Sequence, residues 1–125
     1  MSTIQDQITT ILREMEQTPG IEASAVISDS GLPIVTLIPY GHDEGIIAAM
    51  AAAISNVSYR AAQDLNRGNP KKILIEGEKG IIVMMDILTK SSNSVILTVL
   101  AEPNSNLGLI FVVIRKAAEK IGLVL

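Results

Sequence analysis

The chain contains no cysteine and no tryptophan, and its only aromatic residues are two tyrosines and one phenylalanine. Without cysteine it can form neither a disulfide framework nor a thiolate metal site, so we expect a cytoplasmic location. Proteins that hold nucleic acid commonly use exposed aromatic side chains along a basic groove, whereas this chain has a net charge of −3. Nucleic acid is therefore excluded as an expected partner.

Long hydrophobic segments are also missing, because the longest apolar run, 46–54, has nine residues. The N-terminus lacks the basic start and apolar stretch of a signal peptide, so we expect no direct membrane insertion. Apolar residues nonetheless make up 48% of the 125 residues. This length and composition predict one domain, 1–125, whose core is filled by aliphatic side chains.

Periodicity and turn residues predict three helices and five strands. Ser2 and Gln5 are predicted to form the capping box of the first helix, Asn106 is predicted to cap the last one, and Gly122 to end it. The predicted elements are a helix over 4–15, strands over 21–28 and 32–38, a long helix over 43–66, strands over 71–76, 81–88 and 94–101, and a helix from 106.

Residues that deter strand pairing indicate which strands lie at the rims of the sheet. Pro33 lies in the second strand, and Lys71 and Lys72 open the third. Placing both strands at rims, with short antiparallel hairpins elsewhere, gives the order 2-1-5-4-3. The fourth and fifth strands are apolar at nearly every position, so both faces of the sheet need cover. We therefore predict an α/β (α+β) fold, a three-layer α/β/α sandwich with the long second helix on one face and the first and last helices on the other.

The second helix is apolar almost all round. Its large residues, at positions 46, 47, 50, 54, 57 and 65, fall on one side together with Ala61, and we expect this side to contact the sheet. Small or flat side chains form the opposite stripe. Since small residues let two helices approach closely, we expect this stripe to face a second subunit: Ala48, Ala52, Ser55, Tyr59 and Ala62.

In order and spacing, several short segments resemble those of the roadblock family, small domains related to dynein light chains and to regulators of Ras-like GTPases. The resemblance extends over essentially the whole chain. It is carried by Pro19-Gly20-Ile21, by Ser28-Asp29-Ser30-Gly31-Leu32-Pro33-Ile34, by the alanine-rich run 48–53, by Ile75-Glu76-Gly77 and by Asn106-Leu107-Gly108-Leu109.

The resemblance implies a homodimer, or a heterodimer with a roadblock-type paralogue, in which third strands pair edge to edge and second helices pack together. It adds strand residues to the expected dimer interface: Lys72, Ile73, Leu74, Ile75 and Glu76. It also implies binding of a small Ras-like GTPase near the helix pair. The outward residues expected there are Ala49, Asn56, Arg60 and Gln63.

No residue pattern indicates catalysis, a metal or a cofactor. His42 is the only histidine and lacks spaced metal ligands, and the segment 77–80 lacks the phosphate-binding loop pattern. Asp86 lies in an apolar strand, where we favour a structural role over a catalytic one. Serines 91, 92 and 94 have no base nearby in the sequence. We therefore expect a non-enzymatic dimeric scaffold or regulator, with a small-molecule-sensing module of profilin or PAS type as the alternative.

Overall fold

The computed structural model describes residues 2–39, 41–90 and 94–125. All eight predicted elements are present in the predicted order. They are α1 (Ile4–Met15), β1 (Ile21–Ser28), β2 (Pro33–Leu37), α2 (Glu44–Asp64), β3 (Ile73–Gly77), β4 (Gly80–Ile87), β5 (Val95–Ala101) and α3 (Leu107–Val124). Asp43 caps α2 and Asn106 caps α3, each accepting a hydrogen bond from a main-chain N–H three residues on.

The strands form one five-stranded antiparallel sheet in the order β2-β1-β5-β4-β3, which confirms the prediction. The strand with Pro33 and the strand that follows the lysine pair are the two rims. In β3, the lysines lie before the ladder, which starts at Ile73 opposite Met84. Edge strands that are short and flanked by proline or lysine are less prone to uncontrolled pairing.

Two apolar clusters lie on opposite faces of the sheet, as the three-layer prediction requires. One is formed by α1 and α3 with residues such as Val26, Val83 and Val99. The other is smaller, and packs Ala48 and Ala51 of α2 on Ala25, Ile27, Met84 and Ile96. One face of the sheet therefore has two helices, and the other has one. No helix of the described residues has the length and hydropathy of a membrane span.

Two helix boundaries differ from the prediction. The capping box of α1 is formed by Thr3 and Asp6, not by Ser2 and Gln5, because the aspartate side chain also accepts the Thr3 main-chain N–H. The last helix does not end at Gly122 but continues to Val124. Gly122 instead lies against the main-chain carbonyl of Leu88, where a Cβ atom would overlap the oxygen.

Candidate functional site

The inner side of α2 is only partly as predicted, because Ile47 and Ile54 pack towards the sheet but other residues are exchanged between the two sides. Ala48 and Ala52 are only 1% and 6% exposed, and they lie on the inner side of the helix. Ile46 is 60% exposed and Val57 is 69% exposed, although we expected both to contact the sheet. The assignment of Ala48 and Ala52 to a dimer interface is therefore wrong. Small side chains are used here to bring α2 close to its own sheet and to the β1–β2 turn, where Gly31 lies against the helix.

The exposed side of α2 carries an apolar row that runs from its first turn to its middle. We call this row the outer stripe, and it consists of Ile46, Met50, Ala53 and Val57. These residues are three or four positions apart, so their side chains are neighbours on one helix surface. Branched and long apolar side chains in a contiguous exposed row are typical of an interface rather than of a solvated helix face.

An apolar groove lies between the outer stripe and the sheet. It has a volume of about 260 Å³, and its floor is formed by Ile82, Thr98 and Leu100. The Thr98 side chain is buried, and its hydroxyl has no hydrogen-bond partner among the described residues. The groove exists because α2 contacts β1, β2 and β5, and a helix about 10 Å wide leaves part of a five-stranded sheet uncovered.

The third strand borders this uncovered part and has a free outer edge. Leu74 and Ile75 are both more than one-third exposed, and Ile73 is half-buried. Glu76 is exposed, and the Lys72 ammonium lies 4.1 Å from the centre of the Phe111 ring on α3. All five strand residues of the predicted dimer interface therefore lie at the rim of the sheet, where pairing with another strand is possible.

The other three predicted interface residues of α2 are placed less uniformly. Ser55 and Ala62 are half-buried, whereas Tyr59 is exposed. Their participation in a dimer stays a prediction.

The four residues expected to bind a partner protein are all exposed on α2. Arg60 lies 3.8 Å from the Asp64 carboxylate, one turn along the helix. Asn56 donates to the Asp29 carbonyl at 3.5 Å, and Gln63 donates to the Asn69 side-chain oxygen at 2.8 Å. An exposed ion pair of this kind contributes little to stability. Arg60 is thus available to contact another molecule.

The structure gives no sign of catalytic chemistry in the part of the chain that it describes. No group of three or more His, Cys, Asp or Glu residues is placed to hold a metal ion in the described ranges. His42 is exposed in the loop before α2, and Asp86 is exposed near the end of β4. Partial burial raises the pKa of Asp86, with no neighbouring charge as a cause. Serines 91 and 92 lie outside the described residues.

Sequence reasoning missed the groove. The signal was available in the element count, because three helices cannot cover both faces of five strands evenly. The strand pattern also indicated an uncovered apolar surface, since Ile82 and Leu100 are apolar on the face of the sheet that has only one helix.

Comparison with known proteins agrees with the fold. The sequence model of the Roadblock/LC7 domain family matches residues 7–101 of the chain. Protein MJ1340 of Methanocaldococcus jannaschii is 36% identical over 111 residues, covering 89% of this chain and 93% of the relative. The solved structure of the gliding protein MglB from Thermus thermophilus superposes with a TM-score of 0.85 at 12% identity, covering 99% of this chain and 92% of that one. A Roadblock/LC7 domain from Streptomyces avermitilis superposes with a TM-score of 0.77 at 14% identity, covering 96% and 95%. This chain belongs to the Roadblock/LC7 domain family.

Proposed function

We propose that the chain forms a homodimer, or a heterodimer with a Roadblock-type paralogue, and that the dimer is a cytoplasmic platform for a small Ras-like GTPase. The observation that carries the proposal is the continuous apolar surface formed by the outer stripe, the groove and the free edge of β3. A soluble chain that exposed this surface permanently would tend to associate non-specifically.

A second copy of the chain, related by a two-fold axis beside β3, would bury all three parts of this surface together. Antiparallel pairing of two β3 strands satisfies the free main-chain groups of both edges. It also brings the second copy's outer stripe over the uncovered sheet face, so that Met50 and Val57 of each copy are buried. The interface is then isologous, and each contact occurs twice.

The role we propose is regulatory or structural rather than enzymatic. The turn between β3 and β4 is too short for a phosphate-binding loop and is not followed by a helix. The dimer would place the exposed polar residues of two α2 helices, including Asn56 and Arg60, side by side. The family resemblance supports GTPase binding at this helix pair, and any effect on GTP hydrolysis would act through the GTPase's own residues.

The experiment has two steps. Light scattering at micromolar concentration measures the mass, and a monomer would rule out the platform. Small Ras-like GTPases from the same source, loaded with GDP or with a non-hydrolysable GTP analogue, are then titrated into the dimer. We expect Arg60→Glu to weaken binding without changing the mass of the dimer. The matched control is Lys116→Glu, because Lys116 is exposed on α3, on the face of the sheet opposite to α2. If Arg60→Glu binds as the wild type does and Lys116→Glu does not, the GTPase binds the α1–α3 face.

A further inference from the structure

The fourth strand is longer than the edge strand that pairs with it. The β3–β4 ladder ends at the Ile73–Met84 pair, whereas β4 continues for three more residues to Ile87. These residues span about 10 Å at 3.4 Å per residue. On its other side this part of β4 is fully paired, since Met85, Asp86 and Ile87 lie opposite residues of β5. We call the unpaired side of this segment the open edge.

The register determines which main-chain groups point to the open edge. Gly77 and Gly80 flank a two-residue turn, so they form the pair that exchanges main-chain hydrogen bonds. Such pairs alternate along an antiparallel ladder. The N–H and C=O of Met84 therefore face β3, and those of Asp86 face the same side, beyond the end of β3. No turn or loop main-chain hydrogen bond of the described residues reaches Asp86.

The chain's own preceding segment borders this edge without pairing with it, since residues 69–71 line the cleft beside Asp86 while the ladder ends at Ile73. Pro70 has no N–H to donate to a ladder, and the Lys72 ammonium is placed over the Phe111 ring. A cavity of about 10 Å³, roughly the volume that one water needs, separates residues 70–73 from Met84, Met85 and Asp86. The β3–β4 ladder therefore does not extend to Asp86.

A cleft of about 640 Å³ runs along the open edge. Tyr59 of α2 lies on one side of the sheet, and Arg115 and Ala118 of α3 lie on the other. Leu88, at the end of the cleft, has a side chain that is 90% exposed. The cleft therefore borders the strand from Met85 to Leu88 and is lined by residues on both faces of the sheet.

We propose that the open edge of β4 binds an extended segment of a partner protein by strand addition, at a site that adjoins the proposed dimer interface at Tyr59 and Lys72 and is separate from the GTPase surface. A main chain in extended form offers both an acceptor for the Asp86 N–H and a donor for its C=O, at the spacing of a ladder. On the α3 side, the cleft is lined by Arg115 and, one turn further along the helix, by Glu119. Arg115 forms no ion pair among the described residues, so it is available to pair with an acidic side chain. The added strand therefore carries an acidic side chain opposite Arg115 and apolar side chains on its Tyr59-facing positions.

The test uses a synthetic peptide, Ac-Thr-Glu-Val-Glu-Val-Glu-Thr-NH₂, titrated into the ¹⁵N-labelled full-length dimer. We expect saturable shifts of the amide signals of Asp86 and Arg115, with a Kd of about 1 mM or below. In the free protein, the Asp86 amide should exchange with solvent faster than the amides of Met85 and Ile87. A slowly exchanging Asp86 amide, or shifts confined to α2 and β3, would overturn the proposal.

Two controls separate strand addition from non-specific attraction. A peptide N-methylated at both valines and at all three glutamates cannot form the main-chain ladder, and we expect it to leave the Asp86 amide signal unchanged. Arg115→Glu should weaken binding of the acidic peptide about fivefold. The same variant should bind better than the wild type does when lysine replaces glutamate in the peptide. Equal binding of the methylated peptide, or no effect of the charge exchange, contradicts the proposed strand.

Discussion

Replacing Ala48 by arginine should destabilise the folded chain, whereas replacing Val57 by arginine should only separate the subunits. Ala48 is 1% exposed and packs in the cluster that holds α2 on the sheet. Overpacking such a site costs about 1–3 kcal/mol, and burying an unpaired charge adds about 3 kcal/mol or more. The sum of at least about 4 kcal/mol is a large part of a typical stability of about 5–15 kcal/mol. For a chain of this length, it corresponds to a fall in Tm of about 15 °C.

Replacing Val57 by arginine should weaken the association of the two subunits rather than the fold of each one. Its side chain is 69% exposed in the single chain, and burying the exposed part against a second copy would stabilise the dimer by about 1–2 kcal/mol per subunit. Two-fold symmetry doubles this contribution. Losing it, and placing two charges in the interface, should raise the Kd of the dimer by at least about 100-fold.

Circular dichroism melts and light scattering, both over a range of protein concentrations, distinguish the two effects. Because dimerisation itself stabilises the folded chain, the comparison must be made at concentrations where both variants are monomeric. There, Val57→Arg should melt well above Ala48→Arg. A folded, monomeric Ala48→Arg together with an intact Val57→Arg dimer would show that the small residues face the second subunit after all.

Two further predictions concern single positions. Gly122→Ala should lower Tm by about 5 °C, because the new Cβ overlaps the Leu88 carbonyl and overpacking outweighs the gain in helix propensity. Gly108→Ala is the control, because its Cβ would meet only Asn106 Oδ1 at 3.6 Å. This variant should leave Tm unchanged or raise it. Desolvation raises the pKa of Glu16 above its usual 4.5, against the opposing effects of the Ser24 hydrogen bond and of Arg13. The folded chain therefore binds this proton more tightly than the unfolded chain does. The free energy of unfolding should fall as pH rises above 4.5 through the raised pKa. In denaturant titrations, Glu16→Gln should show a smaller fall over that window, and an unchanged slope would contradict the assignment.

The order of the sheet could be predicted because single residues decide it locally. Pro33 and the Lys71–Lys72 pair each exclude a central position, and short turns fix the neighbours of the remaining strands. The turn at Glu78 and Lys79 and the caps at Asp43 and Asn106 are likewise local signals. Each of these features depends on residues that are near one another in the sequence.

The orientation of α2 could not be predicted in this way. Both of its sides are apolar, so hydrophobic periodicity does not distinguish the side that faces the sheet. We used size as the criterion and assigned the large residues inward. Packing against the sheet instead selects the small residues, because Ala48 and Ala51 allow the helix axis to lie close to the side chains of Ile27 and Ile96. Ile46, Met50 and Val57 are left for a contact that the single chain does not make.

The outward position of Val57 on α2 also predicts the stoichiometry of the complex with a GTPase. Arg60 is one turn along α2 from Val57, and residues three positions apart are about 5–6 Å apart at Cβ. If Val57 lies at the seam between two subunits, both Arg60 side chains lie close to the two-fold axis. A GTPase that contacts one of them then covers the axis and blocks the symmetric site. Isothermal titration should therefore give one GTPase per two chains. A ratio of one to one would require two GTPases side by side on this surface, and it would place the binding site away from the seam, on parts of each subunit that do not meet.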